Sequence, residues 1–527
     1  MPPISDEWEL PRLRSSFQLH EDAVRDEDLA EFFDVKFYPY NPPGAPPVFA
    51  ATSKKHVVVV RMVPTTDKDQ NPCKVIQMIR DADSGANNYT CCWSKDSDTE
   101  DPWLCVAGKD AKIKVYDIRR GKLVKTLVGH GGDISDLATS PACPTTIASA
   151  SDDTTIKLWS LAKEHDKQPC ICILGGEGHQ YNLLTVAFHN NGRYVLSAGH
   201  DQIINLVSSL LPSPYLLTFH RQRITNIHQW ALPEFPKEHI NVPIVLHYPH
   251  FSSSEVHNNL VDCVAFYGDL ILSRACHEDT IVLWRIEGFS SSDPIPGPLD
   301  APTPTDMAKQ TRSYFNPIPS KARPAMFTRL AQFHTPDCGV QFYMRFRMFH
   351  AEGRHPILAF ANAKSKTMFW DFSRFGAYRD FMEELEAARK SGSGQVVQKP
   401  SWLLIKRAKK GTAAPAHQDA AASLRAAAGD KESMVSASPD PEGGGSAMAT
   451  LGNYNQDTLN HWKEMYDLSN PAGLIRPHKV QGVDGSFVGR QVGWSPGGEW
   501  CVVVGNKNRA LIYQRGAREK GVATPVT

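Results

Sequence analysis

The chain has 527 residues, and its 57 Lys plus Arg are matched by 57 Asp plus Glu, so no global field draws it to nucleic acid or to an anionic membrane. Its 41% hydrophobic content is ordinary for a soluble globular protein, and the lack of any 18-residue apolar run excludes a membrane-spanning helix. Eleven cysteines, with no C-x-x-C and no regular framework, fit a reduced compartment better than a disulfide scaffold.

In chain order, the opening MPPISDEWELPRLRSS is acidic and polar and lacks the apolar region of a secretion signal. A three-strand pattern then recurs: a first strand, an alternating apolar second strand with a tight polar turn, and a short third strand ending near an aromatic residue. It is degenerate in residues 33–62 and clear where YTCCWS and PWLCVAGKD lead to AKIKVYD (111–117). ISDLATS and TTIASASDD likewise lead to TTIKLWS (154–160). The fourth copy, LLTVAFHNNGRYVLSAGHDQIINLVSS (183–209), has Val207 where the others have Trp or Tyr. Three more end in DTIVLWR (279–285), KTMFWDF (366–372) and RALIYQR (509–515).

Seven copies result. Tyr116 to Trp159 is 43 residues and Trp159 to Val207 is 48, close to the WD40 period of about 40–45, while later gaps of 77, 86 and 143 mark insertions. The fold expected is all-β, a seven-bladed WD40 β-propeller with long inter-blade insertions, spanning residues 30–515. Residues 1–29 form an N-terminal extension, with RSSFQLHE (14–21) as the candidate strand closing the last blade, and 516–527 form a tail. Two insertions are expected. The stretch about 287–325 opens with a Pro, Ser and Thr-rich linker, and the stretch about 376–480 holds a helix, AYRDFMEELEAARKS, followed by a largely disordered segment from about 391 to 449.

GHGGDISDLATSPACPTTIASASDDTTIKLWS invites a metal or catalytic reading of His130, Asp152 and Asp153. The repeat favours a structural one: His130, Ser149 or Ser151 (with Ser151 preferred), Asp153 and Trp159 form a buried hydrogen-bonded tetrad, and His179 and Asp201 repeat the pair one blade on. His247, His250 and His257 lie in a Pro and Ser-rich connection without nearby cysteines, which argues against a metal site. No nucleophile elbow, P-loop, H-E-x-x-H or dinucleotide fingerprint occurs, so neither a catalytic residue, a metal nor a cofactor is expected. Lys406, Arg407, Lys409 and Lys410 suit a solvated loop, a DNA contact or a nuclear-import signal.

Aromatic residues at the first strands of three blades, Phe37, Tyr89, Phe342 and Tyr343, are candidates for a ring cluster at the channel mouth, with core or rim packing as the alternative. The run SEVHNNLVDCVAFYGDLILSRACHEDTIVLWR, with YMRFRM, DADSGANNYTCCW and GGEGHQYNLLTVAFH, resembles the EED/extra sex combs family, the WD40 subunit of Polycomb repressive complex 2, over roughly residues 30–375 and 480–515. The resemblance implies a non-catalytic nuclear subunit that reads the repressive trimethyl-lysine of histone H3 through a cage at Phe37, Tyr89, Phe342 and Tyr343. It further implies that the subunit holds and stimulates an Enhancer-of-zeste-type methyltransferase beside a Suppressor-of-zeste-type subunit, repressing transcription. Better-known members carry Trp where this chain has Phe342, which implies a weaker cation–π face. The alternative is a generic WD40 scaffold or adaptor that reads no methyl-lysine, and the basic run leaves room for a contact with nucleosomal DNA.

Overall fold

A computed structural model describes residues 10–19, 31–63, 70–83, 86–176, 178–200, 227–232, 238–303, 309–391, 397–405 and 454–516. Seven sheets follow one another along the chain, antiparallel but for the added strands Ile244–Leu246 and Leu474–Ile475, which pair parallel in blades three and five. The innermost strand of each packs against those of its neighbours, and Asp34–Phe37 of blade one meets Gly489–Trp494 of blade seven, so the ring closes. Closure removes long free sheet edges.

The short period-2 strands arise where Val, Ile, Cys and aromatic residues alternate with small polar ones. His56–Met62, Pro102–Gly108 and Trp500–Gly505 are buried almost throughout because both faces of a blade pack on neighbouring blades. Five innermost strands carry a bulge near their start, at Tyr89, Ser135, Leu184, Asp262 and Arg490. Opposite three of these bulges stand Gly108, Gly199 and Gly505, where a Cβ would come within 2.0–2.1 Å of a backbone carbonyl oxygen. Only glycine permits that approach.

Arg12–Gln18 pairs antiparallel with Arg509–Gln514 as the outer strand of blade seven, overlapping the segment 14–21 named from sequence. In blade four the structure corrects the sequence reading. The third strand is Ile227–Ala231, paired with Tyr194–Gly199, and Trp230 takes the position expected for Val207. Val207 itself lies outside the described residues. The separation between tetrad serine and Trp explains the error: 10 residues in blade three, 11 in blade five and 33 here.

The insertion about 287–325 is anchored, contrary to a linker reading of its first part. Phe289 lies 5.1 Å from both Tyr194 and Phe315, and Thr311–Ser313 adds a fifth strand to blade four. Between blades six and seven, residues 376–467 make a separate compact unit. Its core joins Tyr378, Phe381 and Leu385 of α1 (Ser373–Ser391) to Trp462 and Tyr466 of α2 (Gln456–Tyr466), with Val397 and Leu403 between them. Residues 397–405 are therefore ordered within a stretch expected to be disordered, because Val397 and Leu403 supply apolar anchors amid its Gly, Ser and Pro. The insertion also ends earlier than 480: Leu474–Ile475 joins blade five and Lys479–Gly482 is the fourth strand of blade six. The basic run 406–410 lies outside the described residues. Among the described residues no helix is long and apolar enough to cross a membrane.

Candidate functional site

His130 and Asp153 belong to a hydrogen-bonded set within blade three. His130 Nδ1 lies 2.7 Å from Asp153 and its Nε2 lies 2.6 Å from Ser149 Oγ, which also accepts the Trp159 indole N–H at 2.8 Å. The serine is Ser149 and not Ser151. Ser149 stands two positions from Ile147, the cross-strand partner of Trp159, and so lies beneath the indole. Ser151, two residues nearer the turn, donates instead to the Gly132 carbonyl. Burial outweighs the Asp153 hydrogen bond and lowers the His130 pKa, so the imidazole is neutral. Burial alone would raise the Asp153 carboxyl, but bonds from His130, Thr155 and the Gly131 N–H hold it far below the usual carboxylate range.

The arrangement recurs with substitutions. His179 Nε2 and Trp230 Nε1 meet on Ser197 Oγ at 2.7 and 3.0 Å in blade four, whose expected acid, Asp201, lies outside the described residues. In blade five His257 bridges Ser273 and Glu278 while Trp284 donates to Ser273. Sequence reasoning missed that tetrad because its acid is Glu. His250 accepts from the Ala231 N–H and reaches the Gly297 carbonyl. Among the described residues no group of three His, Cys, Asp or Glu side chains is placed to hold a metal ion.

The aromatic candidates divide. Tyr89 and Tyr343 lie with ring centroids 6.4 Å apart at 50°, and Phe342 lies 5.5 Å from Tyr343 at 65°. Phe37 is not with them: it is 8% exposed, its ring 5.3 Å from that of Phe49 and tilted at 52° within the core shared by blades one and seven. In its place Phe33 meets the Tyr89 ring at 5.8 Å and 83°. Phe33 precedes the first strand of blade one much as Tyr89 precedes the regular pairing of blade two, whereas Phe37 ends that strand about 13 Å further along at 3.3 Å per residue. The sequence did carry a signal. Phe33 stands four residues before Phe37, as Tyr89 stands four before Trp93.

Phe33, Tyr89, Phe342 and Tyr343 thus come from blades one, two and six. Phe342 is 51% exposed, an unusual position for a large apolar ring at a mouth otherwise lined by partly buried rings. Its carbonyl accepts from Arg490, whose Nε is 2.6 Å from Glu31. Tyr343 has φ +60°, a costly conformation for a bulky residue, and is held there from several sides. Its hydroxyl donates to the Ser135 carbonyl at 3.2 Å, and the buried Arg345 guanidinium lies 4.7 Å from its ring. Arg345 in turn pairs with Asp136 at 3.0 Å and donates to the Leu184 carbonyl at 2.6 Å. Tyr89 accepts from Asn87 and donates to Asp133, both at 3.3 Å; burial and then the Asp133 charge push its phenol up to about 12. Tyr89 and Tyr343 are therefore held through their hydroxyls, and Phe342 through its backbone carbonyl.

Comparison with known proteins agrees with this architecture. Residues 121–160 and 169–208 match the family model described as WD domain, G-beta repeat. The chain is 59% identical over 590 aligned positions to the Polycomb protein EED of Chaetomium thermophilum, covering 99% of each chain. The chain belongs to the EED/extra sex combs family of Polycomb proteins. A more distant member, Polycomb protein esc of Drosophila melanogaster, is 28% identical over 68% of this chain and 74% of its own. A crystal structure of the Chaetomium thermophilum Polycomb repressive complex 2 contains a chain 61% identical with a TM-score of 0.82, covering 98% of this chain and all of the other. A further structure, of that complex with H3K27me3 and H3K27M, matches at 61% identity and a TM-score of 0.81, covering 96% and 98%. The family pattern and the seven-bladed fold expected from the sequence agree with these likenesses.

Proposed function

We propose that this EED-family chain is the non-catalytic WD40 subunit of a Polycomb repressive complex 2. In this reading it binds trimethyl-lysine of the histone H3 tail between Phe33, Tyr89, Phe342 and Tyr343. The observation that carries it is the gathering of four aromatic side chains from three blades at one mouth, with one ring half exposed. A trimethylammonium there loses little hydration and gains cation–π and apolar contact, roughly 0.5–2 kcal/mol per ring. Unmethylated lysine keeps a tightly held hydration shell and hydrogen-bonding needs that rings cannot meet, so it binds worse.

Around that site the disc scaffolds an Enhancer-of-zeste-type methyltransferase together with a Suppressor-of-zeste-type subunit, in the nucleus. The likeness to a chain within Polycomb repressive complex 2 supports this assembly. If the methylated tail favours the active state of the enzyme, linkage requires the active state to bind the tail better, and stimulation by the product mark follows. The test is calorimetric titration of the chain with H3 tail peptides, trimethylated and unmethylated at one lysine. Selective binding lost in a folded Phe33→Ala, Tyr89→Ala variant is the expected result, and equal binding of both peptides would refute it.

A further inference from the structure

Blade six gives the mouth two of its rings, yet residues 342–345 precede its first strand, Arg347–Phe349, and belong to no sheet. Bulge residues of other blades hold them instead. The Ser135 carbonyl accepts from Tyr343 and Arg345, the Leu184 carbonyl from Arg345, and the Arg490 carbonyl from the Arg345 N–H at 2.8 Å. Blade five supplies no ring, and at its bulge stands the buried Asp262. Arg274 Nη1, from the next strand, lies 2.9 and 2.8 Å from the two Asp262 oxygens. Together they grip both backbone groups of Met344: its N–H donates to Asp262 Oδ2 and its carbonyl accepts from Arg274 Nη1, each at 3.2 Å.

Arg274 is a costly residue to bury. Its guanidinium lies 5.2 Å from the Phe360 ring, and its Nε and Nη2 meet no oxygen acceptor among the described residues. Apolar side chains of similar volume often fill the place of a buried ion pair with equal or greater stability, so stability alone does not account for it. What apolar side chains cannot do is hold an N–H and a carbonyl in one orientation. The Met344 N–H lies in the peptide plane that follows Tyr343, so its bond to Asp262 fixes ψ of Tyr343, the residue held at φ +60°. We propose that Asp262 and Arg274 are positioning residues of the aromatic mouth, which hold Tyr343 in its left-handed conformation and thereby set its ring 6.4 Å from that of Tyr89. The inference rests on the reading of the rings as a methyl-lysine site and adds a determinant of its affinity that touches no ligand. Without the pair the Tyr343 backbone relaxes toward negative φ, the ordinary range for a bulky residue, and the ring leaves the mouth.

The full chain and two double variants are titrated with H3 tail peptides, trimethylated and unmethylated at one lysine, and a melting curve is recorded for each protein. The first variant, Asp262→Asn with Arg274→Met, removes both charges but leaves an amide oxygen for the Met344 N–H. The second, Asp262→Leu with Arg274→Met, removes that acceptor as well. The first is expected to bind the trimethylated peptide within about threefold of wild type, and the second at least about tenfold more weakly at a similar melting temperature. Amide exchange at Met344 is expected to quicken in the second variant and not in the first. Equal affinity of the second variant and wild type, or affinities that simply follow melting temperature across the series, would overturn the positioning role and leave the aromatic site standing. Should the second variant not fold, Arg274→Lys keeps the charge pair while its shorter side chain withdraws from the Met344 carbonyl; a loss of about two- to fivefold is expected, and unchanged affinity would overturn the proposal. Failure of wild type to prefer the trimethylated peptide would overturn both readings.

Discussion

Phe33 and Phe37 are the same residue type four positions apart, and the fold gives them opposite work. Phe37→Ala empties a packed core site and is expected to cost about 3–5 kcal/mol, lowering the melting temperature. Phe33→Ala removes a ring from the mouth, and is expected to weaken trimethyl-lysine peptide binding at least tenfold with a much smaller thermal shift. Calorimetry and a melting curve on each variant separate the two. Ser149→Ala strands the His130 Nε2 and the Trp159 N–H in the interior and is expected to cost about 1–3 kcal/mol in denaturant unfolding. The same tetrad has a pH dependence. His130 is neutral when folded, with a pKa below the ordinary 6.5, so the unfolded chain takes up its proton first as pH falls. Its contribution to stability is complete above about 6.5 and is lost below, and in His130→Gln the fall of melting temperature between pH 7 and pH 5 should be shallower. The His, Asp and Trp of the blade-three tetrad were legible in sequence from their order and spacing, whereas the serine was not, because Ser149 and Ser151 lie on the same face of one strand. Phe37 was misplaced because type and neighbourhood alone do not say which end of a four-residue strand faces the mouth.

At the scale of the element, spacing succeeded where hairpins are short and failed where one is long. Blades two, three, five, six and seven could be read from strand, turn and aromatic in succession. Blade four could not, since the second and third strands are joined by a long connection and an apolar run, IINLVSS, stands where a third strand would fall in its neighbours. What identifies the strand is a side chain satisfied at a distance, the Trp230 N–H on Ser197. Short strands added from the insertions, Ile244–Leu246, Thr311–Ser313 and Leu474–Ile475, carried no periodic signal, being only two or three residues long. The bulges offer a direct test of how these strands are built. In Gly199→Ala the added Cβ meets the Asn182 carbonyl oxygen at 2.1 Å and the Leu183 Cα at 2.8 Å, both backbone atoms that cannot swing aside. A loss on the order of 2–4 kcal/mol in denaturant unfolding is expected, well beyond the ~1 kcal/mol or less of an ordinary exposed Gly→Ala change.

For the molecule as a whole, the aromatic mouth exists only because the ring closes. Its rings come from blades one, two and six, so their spacing depends on the closure that brings blade six beside blades one and two. Removal of residues 1–19 takes the outer strand from blade seven without touching any ring. The expected result is a lower melting temperature, faster amide exchange in Arg509–Gln514, and weaker peptide binding through a loosened mouth. Unchanged affinity with a lowered melting temperature would mean that six blades and an incomplete seventh suffice to hold the rings. The closed ring was legible from seven repeats. The compact unit of residues 376–467 was legible only as one helix, because Trp462 and Tyr466 meet Tyr378 and Phe381 across a span of some 80 residues that no local periodicity connects.

The strand Arg12–Gln18 leaves the ribosome well before its partner Arg509–Gln514. At about 5–20 residues per second, the roughly 500 residues between them take about 25–100 s to synthesise. Throughout that interval the early strand has no partner in its own blade, while the blades between can assemble in order as they emerge. Synthesis therefore has a built-in waiting period that ends in one long-range pairing, whose loop-closure cost is met once and late. A nascent chain stalled before residue 509 would hold most of its blades and no finished disc.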